Sequence, residues 1–164
     1  VVVLAGAGKV FSAGADAAWM ARMAEASEAE NEADALATTA MLRAINTLPV
    51  VVVGRIHGAA LGGGSGLAAV CDIVIAEEGA IFGFTETKLG ILPAMISPFV
   101  LPKIGVSHAR ALFLTGTQKD FHWFFCGENI FSALRLSIFD CQYGLFFLIK
   151  AGHVYLRSGF RFYH

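Results

Sequence analysis

The chain has 164 residues, with 12 Lys and Arg against 13 Asp and Glu and a formal charge of −1, so one domain is allowed and electrostatics give no reason to bind nucleic acid. Hydrophobic residues make up 56% and charged residues only 15%, which excludes a disordered or acidic tail protein and leaves either a membrane segment or a piece of something larger. No stretch reaches the roughly 18 consecutive apolar residues of a spanning helix; the best runs, residues 1–7, 48–53, 91–100 and 144–149, are each bounded by charge, Gly or Pro.

In chain order, residues 1–5 form a short, fully apolar, β-branched run that predicts a buried strand, turned by residues 6–8. Residues 11–20 carry Ser-Ala-Gly-Ala-Asp, a tight turn into a helix start. Residues 25–34 are acidic and Ala-rich and read as a solvated, mobile helix or loop. Ala37, Met41, Ala44, Ile45 and Leu48 then fall on one helical face up to Pro49. Residues 50–56 predict a second strand, 58–66 a glycine loop, 67–71 a short helix, 73–76 a third strand and 80–84 a fourth. Continuous apolar strands separated by helices imply an α/β fold with covered sheets.

Composition changes near Gln118. Up to that point the chain holds 7 basic and 10 acidic residues, all 4 Pro and 5 of 14 Phe; the last 46 residues hold 9 Phe, all 3 Tyr and no Pro. Two units are therefore expected: a core over 1–118, and an atypical aromatic-rich tail over 119–164 that is either genuine or a frame-shifted, unstructured translation. The chain begins with Val and has no basic n-region before an apolar core, which reads as a cut start without a secretory signal. Cys71, Cys126 and Cys141 have neither CxxC nor CxxH spacing, which argues against a disulfide framework or a metal site and fits a reducing, cytoplasmic compartment.

The glycine loop is the first candidate for chemistry. Gly64-Ser65-Gly66-Leu67-Ala68-Ala69 matches the loose dinucleotide pattern G-x-G-x-x-A, but seven residues separate it from the preceding strand, and the next acidic strand end, Glu77, comes only 13 residues after Gly64. The nucleophile elbow also fails, because Leu67 stands where its last Gly belongs, and no Walker lysine follows. What remains is a backbone that approaches something closely, followed by a helix start whose free N–H groups favour developing negative charge. Residues 12–16 form a second such turn. Two turns of small residues, each after a buried strand, can make the two halves of an oxyanion site.

Four blocks, V-V-V-L-x-G-x-G-K-x-F-S-A-G-A-D, L-P-V-V-V-V-x-R-I-H-G-A-A-L-G-G-G-S-G-L, C-D-I-V-I-A and F-G-F-T-E-T-K-L-G-I-L-P, follow one another in order within residues 1–118. In them the chain resembles the enoyl-CoA hydratase/isomerase, or crotonase, superfamily. The resemblance implies a crotonase-like ββα spiral of the ClpP/crotonase type, incomplete at both ends, assembled as homotrimers or hexamers. It also implies an acyl-CoA thioester substrate, with no metal and no cofactor beyond the coenzyme A of the substrate. By motif position, Ala15 and Gly63 hold the thioester oxygen through their N–H groups, and Ala13, Ala15, Asp16, Ala17, Ala18, Gly62 and Gly63 line the CoA ligand.

Two-glutamate hydratases of that family carry one Glu two residues after the triple glycine, where this chain has Gly66. Their second acid corresponds to Glu86, flanked by Phe82, Phe84, Leu89, Ile91 and Leu92, an apolar setting expected to raise its pKa. Lys88, Asp72, Trp19 and His57 read as structural: Asp72 as a helix-end partner, Trp19 as packing, His57 as a turn residue. Gly-Gly-Gly-Ser-Gly-Leu, the Trp19-Met20 pair and residues 92–99 look most like the methylglutaconyl-CoA and isohexenylglutaconyl-CoA hydratases of leucine and acyclic-terpene breakdown. The expected function is hydration of a branched glutaconyl-type 2-enoyl-CoA by Glu86. A Δ3-Δ2 enoyl-CoA isomerase using one glutamate, or an inactive truncated derivative, stand as alternatives.

Overall fold

The computed structural model describes residues 1–120, Phe124, and the backbone of residues 145–150 and 153–157. Two sheets run through it. The first has the order β1 (Val2–Ala5), β2 (Val52–Ile56), β4 (Ile73–Glu77), β7 (Leu145–Lys150) and β8 (His153–Arg157). Its first four strands are parallel and β8 is antiparallel. The second has β3 (Ala59–Leu61) parallel to β5 (Ile81–Gly83), with β6 (Lys119–Asp120) antiparallel at its edge. Ser12 joins that sheet through a parallel bridge to Ala60.

Each turn of chain gives one strand to each sheet and then a helix. β2 and β3 lead into α3 (Gly63–Ala69); β4 and β5 lead into a 3-10 turn (Glu86–Leu89), α4 (Ser97–Ile104) and α5 (Val106–Thr115). β1 and the Ser12 bridge lead into α1 (Ala17–Ala24) and α2 (Glu28–Asn46). This is a ββα spiral, the architecture the motifs imply. The core fills the space between sheets and helices: Val52, Ile56 and Val74 from the strands, Ala68 and Ala69 from α3, Val100 and Ile104 from α4, and Leu112 from α5 are buried together.

Several expectations change in detail. Residues 25–34 are not a separate element, because most of them belong to α2, whose start is set by a capping box: Ser27 accepts from the Glu30 N–H and the Glu30 carboxylate accepts from the Ser27 N–H at 2.8 Å. The inward face of α2 is rotated from the predicted one. Leu42 is buried and Ile45 half-buried, whereas Met41 and Leu48 are exposed. Replacing Ser27 by Ala should cost about 1 kcal/mol, read as a Tm lower by about 2–4 °C, with the distant site untouched.

The predicted glycine loop at 58–66 contains a strand, β3, and its helix begins at Gly63 rather than Leu67. Three residues between glycines are too few for a local strand signal; pairing to Ser12 on one side and β5 on the other defines them. Asp72 serves the sheet rather than a helix end. Its Oδ2 accepts from the Val52 N–H at 2.8 Å while its own N–H donates to Val52 O, closing the start of β2. Most of the expected tail, residues 119–164, lies outside the described residues. Among the described residues no helix is long and apolar enough to cross a membrane.

Candidate active site

Three loops leave the carboxyl ends of three adjacent parallel segments: residues 13–16 after Ser12, Gly62 and Gly63 after β3, and residues 84–86 after β5. Parallel pairing alone brings them together. Ser12 donates from its N–H to Ala59 O at 3.0 Å and accepts from the Leu61 N–H at 2.9 Å, so the first loop is laced along β3. The Gly62 N–H donates to Gly83 O at 2.8 Å and laces the second loop to the third.

Within the first loop, Asp16 caps α1 by accepting from the Trp19 N–H at 2.8 Å. Ala13, Ala15, Asp16, Ala17 and Ala18 are all exposed there, and Trp19 is half-buried. Within the second, Gly62 takes φ +52° and ψ −122°, backbone that suits glycine, and it is buried. Its N–H is already spent on Gly83, so its contribution is to aim the next amide. Among the described residues neither the Ala15 N–H nor the Gly63 N–H meets an acceptor.

The third loop carries Glu86. A Cβ added at Gly62 would lie 3.1 Å from Glu86 Oε1 and 3.0 Å from Thr85 Oγ1, so the carboxylate stands directly against the glycine turn. Its Oε2 is buried and has no hydrogen-bond partner among the described residues. Burial lifts the carboxyl above its ordinary value, opposed by its own backbone N–H. Direction and cause are those expected from the apolar flank of the loop. Of the flanking residues, Leu89, Ile91 and Leu92 are 59%, 47% and 78% exposed. Phe82 and Phe84 are fully buried beneath the loop. Phe84 stacks edge-on against Phe113 with ring centroids 4.5 Å apart, and both Phe82 and Phe84 pack on Phe124. They anchor the strand end from which Glu86 projects.

Two further observations complete the site. At Gly66, a Cβ would collide with Cγ2 of buried Ile96, so the space beside that backbone is taken by an apolar side chain. Ser65, dismissed in the sequence when the nucleophile elbow failed, is a fully buried polar residue bonded to both β3 and β5. A serine among four glycines was the only local signal, and it does not reveal partners that lie 5 and 18 residues away. Of the residues read as structural, His57 meets Gly8 O at 3.1 Å and Lys88 is exposed.

A model of the enoyl-CoA hydratase/isomerase family matches residues 1–120. The chain belongs to that family. It is 40% identical over 117 residues to an enoyl-CoA hydratase of Alternaria alternata, covering 71% of this chain and 37% of the relative. It is likewise 40% identical over 120 residues to an enoyl-CoA isomerase/hydratase of Mycosarcoma maydis, covering 72% of this chain and 43% of the relative. The crystal structure of an enoyl-CoA hydratase from Shewanella pealeana superposes with a TM-score of 0.67 at 41% identity, covering 69% of this chain and 43% of that one. This member of the hydratase/isomerase family therefore spans less than half the length of these relatives. Its fold is the crotonase-type α/β fold, as the motifs implied.

Proposed function

We propose that this chain carries the catalytic loops of a hydratase that adds water across the double bond of a 2-enoyl-CoA thioester. The observation that supports this reading is the half-buried Glu86 carboxylate, with an unpartnered Oε2, standing against the turn that aims the Gly63 N–H. The Ala15 and Gly63 N–H groups hold the thioester oxygen, and Asp16, Ala17 and Ala18 border the CoA moiety. Addition at the β carbon moves charge onto that oxygen. Two preorganised donors stabilise the resulting enolate by several kcal/mol.

Glu86 then does two jobs. As a carboxylate it takes a proton from water while the water oxygen bonds to the β carbon. As the acid so formed, it returns that proton to the α carbon when the enolate collapses, which balances the addition of one water. Gly66 offers no second carboxylate, and Ile96 fills the space beside it. That feature favours a second reading, Δ3-Δ2 isomerisation, in which the same base moves one proton between two carbons and no water enters. The sequence at residues 92–99 supports a branched glutaconyl-type acyl group, and homotrimers or hexamers in a cytoplasmic setting go with that reading.

Incubating the chain with a panel of straight and branched 2-enoyl- and 3-enoyl-CoA thioesters, followed by absorbance at the enoyl-thioester band and mass analysis, tests it. A 3-hydroxyacyl-CoA product is expected. An isomerised product without added water would assign the isomerase instead, and no turnover of any thioester would mark the chain as a non-enzymatic derivative.

A further inference from the structure

We infer that Ser65 is the positioning residue that holds the Gly63 amide and the Glu86 carboxylate in register, its hydroxyl clamping the start of α3 between β3 and β5. The inference rests on the proposed roles of Gly63 and Glu86 and adds the element that fixes their separation. Those two groups come from different strands, and neither bonds directly to the other. Something must set their spacing, because reacting atoms misplaced by about 1 Å can cost about a hundredfold in rate.

The geometry around Ser65 meets that need. Its Oγ lies 2.7 Å from Ala60 O and 3.1 Å from Gly83 O, and accepts from the Gly83 N–H at 3.3 Å. A hydroxyl has one proton, and the shorter contact, to Ala60, takes it; Gly83 O is served in addition by the Gly62 N–H at 2.8 Å. The hydroxyl thus joins β3 as donor and β5 as acceptor. Ser65 lies two residues after Gly63, and Gly83 lies three before Glu86, so the clamp spans the two arms at their roots. β3 and β5 are already paired in parallel through Ala60↔Phe82 and Leu61↔Gly83. The Gly62 N–H ties the cap of α3 to Gly83, and Ser65 adds a side-chain tie from the first turn of α3 to both strands. The side chain is completely buried, so no water can substitute for the lost bonds without entering the core.

Ser65→Ala removes the clamp, and Ser65→Cys keeps its volume while weakening it. Both are compared with wild type and with Glu86→Gln in the full chain by steady-state kinetics and by 13C NMR titration of the glutamate carboxyls, Glu86 being identified by its loss in Glu86→Gln. For Ser65→Ala, kcat is expected to fall about tenfold to a hundredfold with KM within about twofold. The Glu86 titration midpoint should move down toward that of an ordinary glutamate as the loosened turn admits water, with Ser65→Cys between Ala and wild type. An unchanged Glu86 midpoint in both variants, or losses confined to Tm, would overturn the clamp. The titration reads the clamp whether or not the chain turns over. Full activity in Glu86→Gln would instead overturn the underlying catalytic reading and leave the titration result to decide the clamp.

Discussion

Glu86→Gln should lower turnover by about 10⁴-fold, the upper end of what one positioned acid or base contributes, while acyl-CoA binding stays within about twofold. The upper end applies because, in the proposed mechanism, a single carboxylate both activates water and returns the proton; the amide can do neither. The binding surface on the other two loops is untouched by the substitution. Stopped-flow turnover and calorimetric titration with a non-reactive acyl-CoA check the two halves separately, and retention of more than a tenth of wild-type turnover would remove Glu86 from the mechanism.

The same carboxylate links activity and stability to pH in opposite directions. As the proposed base it works ionised, so kcat/KM should fall as the pH drops through its folded-state pKa, which burial raises above the ordinary 4.5. The acid limb should therefore sit higher than that of a solvated glutamate. Stability runs the other way. Because the folded form binds this proton more tightly than the unfolded chain does, the contribution of Glu86 is fully present below its unfolded value and is lost as pH rises through the folded value. Once ionised, Glu86 is a partly desolvated charge whose Oε2 has no partner among the described residues. Glu86→Gln should then have a higher Tm than wild type at pH 7, and the gap should close near pH 4.

How far sequence alone reaches is visible element by element. β2 and β4 were legible because β-branched and apolar residues dominate them, Val52, Val53 and Ile56 in one and Ile73, Val74 and Ile75 in the other. β3 was not, since Ala59–Leu61 is a strand only by virtue of its neighbours. The face of α2 was misjudged because apolar spacing cannot tell which side meets the sheet when Met41 and Leu48 sit near one edge of the stripe and Leu42 near the other. Motif order singled out Glu86 and the two turns, which the fold brings together. The upward shift of Glu86 was legible from its apolar flank, but the approach of Gly62, 24 residues away, to the carboxylate was not. The relations that define this site, Ser65 with Gly83 and Gly66 with Ile96, are contacts across turns of the spiral and have no local signature.

The second of those relations carries the largest expected effect on stability. In an exposed helix, Gly→Ala gains about 1 kcal/mol from propensity. At Gly66, on the buried face of α3, the added methyl meets Cγ2 and Cβ of Ile96. Ile96 is β-branched and only 3% exposed, so Cγ2 cannot leave without an eclipsed χ1 or a shift of the backbone leading into α4. Overpacking of this kind costs about 1–3 kcal/mol or more and outweighs the propensity gain. Gly66→Ala should lower stability by about 2 kcal/mol, and Gly66→Glu by more, because it also drives a carboxylate into an apolar gap. Ile96→Ala alone should cost about 2–4 kcal/mol as a cavity. The double variant Gly66→Ala with Ile96→Ala should be more stable than the sum of the two by about 1 kcal/mol or more, since one change vacates what the other needs. Urea unfolding of all four proteins closes the cycle, and strict additivity would show that Ile96 does not exclude a side chain at position 66. If it does exclude one, Gly66→Glu will not convert this site to a two-carboxylate one. The single-glutamate arrangement is then a packed feature of the fold, kept by Ile96 from across the spiral, and adding an acid to it requires rebuilding the start of α4 as well.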